Sequence, residues 1–504
     1  MSVSCADLDT NPEGVYITAD QKVEANGYNS VIATASMNAL FSQMKMYQPN
    51  VMTVGDRYND FGYPSVMLMM ESNGCDVVSS NNGYNAFYKD VDYSDRDNTT
   101  TQAQIVWGTL YRQIYTANTL IASIPEEPND VTGQGYLSQG LAIRAFNYWV
   151  LAQLYQHNYV GNEQALCVPL ITEKNASEAA ARGCPRATVC DIYKQILSDL
   201  DKAIILLEKS NMSSPDKRYV NKCVAYGLRA RVNLTMQRWE EALADADKAI
   251  ENFNGRPYLA NELNKPGFWN SNDQSWMWAI VVNENDDIVM KGNPEKGICT
   301  FASHMGSLNF GMASYCGGRQ INKVLFETIP TTDVRRSWWL DADGITSSYG
   351  GVLSGIMKQA GYPPYTNVKF GPYQDQLNTR VNANDIPLMR IEEMYLIKAE
   401  ALSMTDKIAE GRTLLNQFMN MCRDQQYCCQ AADAITLQEE IYRQRRIEFW
   451  GEGISWLDLM RLNKGVDRTG AGFPEGANQI NIPAHDDRLL WSIPQSEIDA
   501  NPAF

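Results

Sequence analysis

The acid–base chemistry available to this sequence rests on four glutamates. Glu393 and Glu400 stand seven residues apart, and Glu448 and Glu452 four apart, spacings that bring each couple to one face of a helix. Glycoside hydrolysis needs two carboxylates roughly 5–10 Å apart beside an open cleft. Here the surrounding segments are apolar, and Arg390, Arg445, Arg446 and Arg461 lie close in sequence. Structural ion pairs are therefore expected in place of catalysis, with Arg445, Arg446 and Arg461 holding Glu448, Glu452 or Asp458. The three histidines, His157, His304 and His485, are isolated and form no His-x-x-x-His spacing. That excludes the usual zinc and serine-triad layouts. No Gly-x-Ser-x-Gly, P-loop or dinucleotide glycine pattern occurs. The acid run Asp90–Asp97 has oxygens for calcium but lacks the EF-hand glycine and distal glutamate, and reads as a solvated loop. No catalytic residue, metal or cofactor is predicted.

Aromatic side chains are the better lead. Sugar rings present C–H faces on which indole and phenol rings stack, while amides bond the hydroxyls. Residues 81–88, Asn-Asn-Gly-Tyr-Asn-Ala-Phe-Tyr, offer both chemistries. So do Phe268-Trp269-Asn270 and Asn309-Phe310 with Tyr315; Trp338, Trp339, Tyr362, Tyr365 and Tyr373 are further candidates. Trp107, Trp276, Trp278 and Trp456 sit inside periodic segments and read as core. The predicted ligand contacts are Tyr84, Asn85, Tyr88, Trp269, Asn309 and Tyr315.

Helices must position these loops. Helical periodicity marks 31–46, 104–124, 136–155, 188–209, 221–236 and 239–252. Pro125 and Pro128 end the second of these. The last two are joined at Gln237-Arg238, and their alanines, Ala225, Ala230, Ala242, Ala246 and Ala249, let two antiparallel helices approach as in a tetratricopeptide unit. Residues 389–404 and 408–422 predict another such pair, with Ala399 and Ala401 in the seam. Between about 253 and 385 the helical period fades, Gly, Asn, Ser, Tyr and Trp rise, and 276–282 reads as a strand. Long irregular loops on a helical scaffold are where binding usually resides. The segment 76–101 has the same character.

The chain has 504 residues, with 43 Lys+Arg against 59 Asp+Glu, a net charge of −16. Such acidity lacks the electrostatic footprint for nucleic acid. No apolar run approaches the roughly 18 residues a membrane helix needs. The 11 cysteines form no Cys-x-x-Cys pair and read as buried thiols, although an oxidising envelope would permit Cys422–Cys428 or Cys299–Cys316 bridges. Val3-Ser4-Cys5 resembles the tail of a lipoprotein cleavage site, without an apolar region before it.

The stretch 441–461 joins four arginines, three acids and four aromatics around Gly451 and Gly453. Within it Arg445, Arg446, Glu448, Phe449, Glu452, Gly453, Trp456, Asp458, Leu459 and Arg461 resemble the C-terminal signature of the SusD/RagB family, the surface nutrient-binding lipoproteins of Bacteroidetes. Gln444 stands where the family usually has Glu, and Ser455 where it has Arg or Lys. Trp107 to Asn118, Arg144 to Tyr155, Arg186 to Ala203, Asp333 with Arg335, Pro387 to Glu400 and Ile493-Pro494 match further family segments in order. The resemblance covers nearly the whole chain.

That resemblance implies a mostly α fold, one SusD-like unit over 1–504. Its tetratricopeptide-like scaffold would span 30–252 and 386–465, and a loop-rich insertion at 253–385 would bear part of the binding surface. It also implies a non-catalytic, surface-exposed lipoprotein of the cell outer membrane, anchored only through lipidated Cys5. Such a protein binds an oligosaccharide and delivers it to a SusC-like TonB-dependent transporter. A RagB-like peptide binder is the alternative within the family, and a glycan-cleaving enzyme the alternative outside it.

Overall fold

The computed structural model describes residues 19–28, 30–47, 59–80, 86–210, 216–290, 299–476 and 479–504. The predicted lipid anchor Cys5 and the predicted contacts Tyr84 and Asn85 lie outside these described residues. The helices that build the scaffold include α1 (Thr34–Ser42), α2 (Tyr63–Asn73), α3 (Thr101–Ala122), α4 (Val131–Tyr155), α5 (Val189–Ser210) and α6 (Lys222–Thr235). They continue as α7 (Trp239–Glu251), α8 (Ile391–Met404), α9 (Ile408–Cys422), α10 (Ala434–Glu448) and α11 (Ser455–Arg461).

Local chemistry sets most of their ends. Thr100 caps α3 by accepting from Ala103 N, and Asp130 and Asn221 cap α4 and α6 in the same way. Asp433 and Thr436 form a reciprocal capping box at the start of α10. The predicted helix 31–46 is instead broken, with 3-10 turns at Ser30–Ala33 and Gln43–Lys45 on either side of α1. Helix α10 stops at Glu448, and Gly451 and Gly453 just beyond it both take positive φ.

From α3 to α9 each helix packs on its successor, giving one continuous stack. Ala225, Ala230, Ala242, Ala246 and Ala249 are fully buried in the α6–α7 seam. At the α8–α9 crossing a Cβ on Gly411 would lie 2.7 Å from Ala399 O, so only glycine permits that approach. The chain leaves the stack after α7 and returns at α8. The excursion is zipped shut at its root, because Trp276–Ile280 pairs antiparallel with Ile386–Arg390. The strand is two residues shorter than predicted, and α8 starts after it, at Ile391. Two smaller strand pairs join Val77–Val78 to Gln320–Ile321 and Leu166–Pro169 to Arg186–Thr188.

The principal hydrophobic core runs from Ala33 to Trp491 and includes Trp107, Trp276, Trp278 and Trp456. Trp338 and Trp339, read as possible sugar platforms, are 2% and 0% exposed. They belong to the core because the 3-10 turn Val334–Trp338 folds them onto Phe268 and Trp450. Among the described residues no helix is long and apolar enough to cross a membrane.

Candidate functional site

All four glutamates that could have done acid–base work are buried and held by cations. Arg390 donates to Glu448 at 3.0 Å and to both oxygens of Glu452 at 2.9 Å. Arg423 donates twice to Glu448 at 2.8 Å, and Lys369 to Glu452 at 2.6 Å. Glu393 accepts from Arg231 at 3.0 Å and from Arg445 at 3.3 Å, and Glu400 accepts from Arg461 at 2.7 and 2.8 Å. Burial opposes the charge on Glu448, but Arg423 and Arg390 overcome it and hold the carboxyl well below the usual range. All four are held in the interior by these pairs.

The pairing differs from that expected in one respect. Asp458 does accept from Arg445 and Arg461, each at 2.7 Å. Glu448 and Glu452, however, are held by Arg390, Arg423, Arg335 and Lys369 from outside the signature stretch. Arg446 turns away to Asp76. Gln444, in place of the family's glutamate, accepts from Arg335, whose charge is met by Asp333 and Glu448.

Asp90 and Asp95 are wholly buried and not solvated as expected. Burial raises both carboxyls, Asp95 pairs with Arg96, and Asn73 bonds both residues. Among the described residues no three acid, histidine or cysteine side chains converge in a metal-holding group.

The aromatic candidates gather at one end of the excursion. Trp269 and Tyr373 meet edge to face, with centroids 6.0 Å apart and planes at 77°. Phe310 and Tyr315 meet at 5.8 Å and 76°, and the Arg380 guanidinium lies 4.3 Å over the Phe310 ring. Asn309 joins the two pairs, since its Oδ1 accepts from Tyr373 N at 3.1 Å. Tyr315 is 37% exposed, and Trp269, Phe310 and Tyr373 are half-buried. Tyr373 OH donates to Glu284 at 3.0 Å.

Tyr88, 38% exposed, belongs to the same neighbourhood. The preceding Phe87 packs on His304 at 5.1 Å, in the short helix Phe301–Met305. Ser303 of that helix accepts from Met312 N at 2.8 Å, seating the Met312–Cys316 turn that carries Tyr315. Ser80 N donates to Gln320, which in turn donates to Gly317 O just beyond Tyr315. Both flanks of residues 81–85 therefore abut the Tyr315 segment.

Of the predicted contacts, Trp269 and Tyr315 show surface on this patch, and Tyr88 is exposed next to Phe87, which packs on the Phe301–Met305 helix. Asn309 does not: it is 2% exposed and its amide is engaged with Tyr373 and Asn384. Sequence reasoning missed Arg380 and Glu284, which have no periodic or motif signal. A cleft of about 650 Å³ lined by Pro330, Tyr427, Cys428 and Arg443 involves none of these rings.

Residues 29–234 match the family model described as starch-binding associating with outer membrane. Residues 319–504 match the model described as SusD family. A SusD-like protein, P38, of Formosa agariphila is 22% identical over 437 residues, 79% of this chain and 78% of that one. The fold is shared with a SusD-like carbohydrate binding protein from Bacteroides vulgatus, at TM-score 0.76 and 21% identity over 94% of this chain and 97% of that one. It is shared also with surface glycan-binding protein A from Bacteroides thetaiotaomicron, solved with laminarihexaose, at TM-score 0.65 and 16% identity over 94% and 98% of the two chains.

Proposed function

The chain belongs to the SusD/RagB family, and on that premise we propose that it captures an oligosaccharide without cleaving it. The capture surface is the aromatic patch of Trp269, Tyr373, Phe310 and Tyr315 with Tyr88 beside it. Its carrying observation is the contrast between two sets of side chains. Rings on irregular loops keep exposed surface, whereas the glutamates Glu393, Glu400, Glu448 and Glu452 are locked in buried ion pairs. Stacking of C–H faces on such rings supplies affinity, and flanking amides and carbonyls supply direction. We further propose association with the outer membrane through a lipid on Cys5, and delivery of the ligand to a TonB-dependent transporter. The helical stack would supply the rigid contact for that partner.

Titration calorimetry with laminarihexaose, maltohexaose, cellohexaose and xylohexaose tests the binding step. Binding of at least one, weakened in Trp269→Ala, is expected. Silence across the glycans with capture from a random peptide library would replace the sugar with a peptide. One observation favours that second reading: the formal charges of Arg380 and Glu284 beside the rings suit the termini of a short chain. Release of reducing sugar by the purified protein would overturn both.

A further inference from the structure

We infer that Asn382, Asn384 and Asp385 are positioning residues that set the spacing of the two aromatic pairs. This rests on the reading of that patch as the ligand surface. Residues 378–385 carry no aromatic ring themselves, yet they bond the segments that carry Trp269, Phe310 and Tyr373. Asn378 N donates to Leu308 O at 2.7 Å, and Phe310 N donates to Thr379 O at 2.8 Å. Asn382 Nδ2 donates to Phe310 O at 3.0 Å. The Asn384 amide donates to Gly371 O at 2.9 Å and accepts from Asn309 Nδ2 at 3.3 Å, beside the Asn309 oxygen that receives Tyr373 N. Asp385 accepts from Ser271 N and Val282 N, each at 2.8 Å, while its own N–H donates to Trp269 O at 3.0 Å.

The three side chains are 1%, 4% and 8% exposed, so they act through the rings and not on the ligand. Buried bonds of this kind hold their partners because breaking one leaves an unsatisfied group in a low dielectric. The strap is also rigidly rooted. It runs without a break into the strand Ile386–Arg390, paired to Trp276–Ile280 and ended by Arg390 in its ion pairs. Ring spacing is thereby fixed before any ligand arrives. A preorganised surface binds more tightly and discriminates more sharply between ligand shapes than one that must assemble.

Protein labelled with 5-fluorotryptophan supplies a readout that needs no ligand. The Trp269 resonance is assigned by its loss in Trp269→Phe. In Asn384→Ala and Asp385→Ala it should shift or broaden, while the resonances of Trp149 in the helical stack and Trp456 in α11 hold. Affinity for a hexasaccharide of the panel above should fall about tenfold, by loss of preorganisation. Asp385→Asn, which keeps one acceptor and the side-chain volume, should recover part of that loss. An unmoved Trp269 resonance in both alanine variants overturns the inference, and so does undiminished glycan affinity. If no panel glycan binds the unaltered protein while the Trp269 signal moves, the strap stands and the glycan reading falls.

Discussion

Arg446 holds Asp76 across 370 positions of chain, with Nη2 2.5 Å from Oδ1 and Nε 3.0 Å from Oδ2. The same aspartate offers its carbonyl to Trp450 Nε1 at 2.7 Å and to Asn322 N at 2.9 Å. Asp76 leads directly into Val77–Val78, the strand paired with Gln320–Ile321. The C-terminal signature therefore grips the root of the segment that carries Tyr88. The ionic stretch thus holds a loop that lies far from it in sequence.

Arg446→Ala should expose that root. Hydrogen exchange at residues 76–80 and 320–322 is expected to quicken more than in α6 or α7. Global stability should fall by about 2–3 kcal/mol, the range for a partly buried pair losing one member. Uniform exchange throughout the molecule would mean that the pair does not secure the loop.

Glu448→Ala removes the one anion shared by Arg390, Arg423 and Arg335, all fully buried. A cost of about 3–5 kcal/mol is expected, since uncompensated charge remains in the interior. Chemical denaturation measures it. Affinity of the molecules that stay folded should persist, and its selective loss would return this glutamate to the functional site.

Tyr315→Ala and Tyr88→Ala probe rings whose removal disturbs little packing. Each should weaken glycan binding by about 1–2 kcal/mol, read by calorimetry, with the unfolding temperature nearly unchanged. A large fall in unfolding temperature instead would assign both rings to the core.

Glu71 gives a pH signature. Burial raises its carboxyl to about 8 from an ordinary 4.5, even though Gly453 N donates to it at 2.7 Å. The folded chain thus keeps a proton that the unfolded chain releases between pH 4.5 and 8, so stability falls as pH rises through that window. Burial lowers the Lys369 ammonium to about 8, which acts with opposite sign but only above that pH. Glu71→Gln should match the unaltered protein near pH 4.5 and exceed it near pH 8 by on the order of 3–5 kcal/mol. Parallel stability–pH curves for the two proteins would exclude this role.

Gly453 has φ +74°, and a Cβ there would come within 2.9 Å of Met67 Cγ. Gly453→Ala is expected to cost about 1–3 kcal/mol from backbone strain alone. Thermal denaturation at fixed pH checks it.

Elements held by short-range chemistry were legible in the residues themselves. The helix start at Asn221 is a side-chain cap, the α6–α7 seam is a pattern of alanines, and the break after Glu448 is written in two glycines; the caps Thr100 and Asp130 start α3 and α4 three and five residues before the expected 104 and 136. Trp107, Trp276 and Trp456 were recognisable as core because they recur with their neighbours' period. The family signature was readable as well. What the sequence could not determine was which charges meet. Coulombic attraction does not select a partner by sequence distance, so Arg446 with Asp76, and Arg423 with Glu448, became visible only once the stack had closed. The same holds for exposure. Trp338 and Trp269 both sit in irregular, aromatic-rich segments. Only the folding of a 3-10 turn onto Phe268 buried the first, and only the bonds around Asp385 left part of the second at the surface.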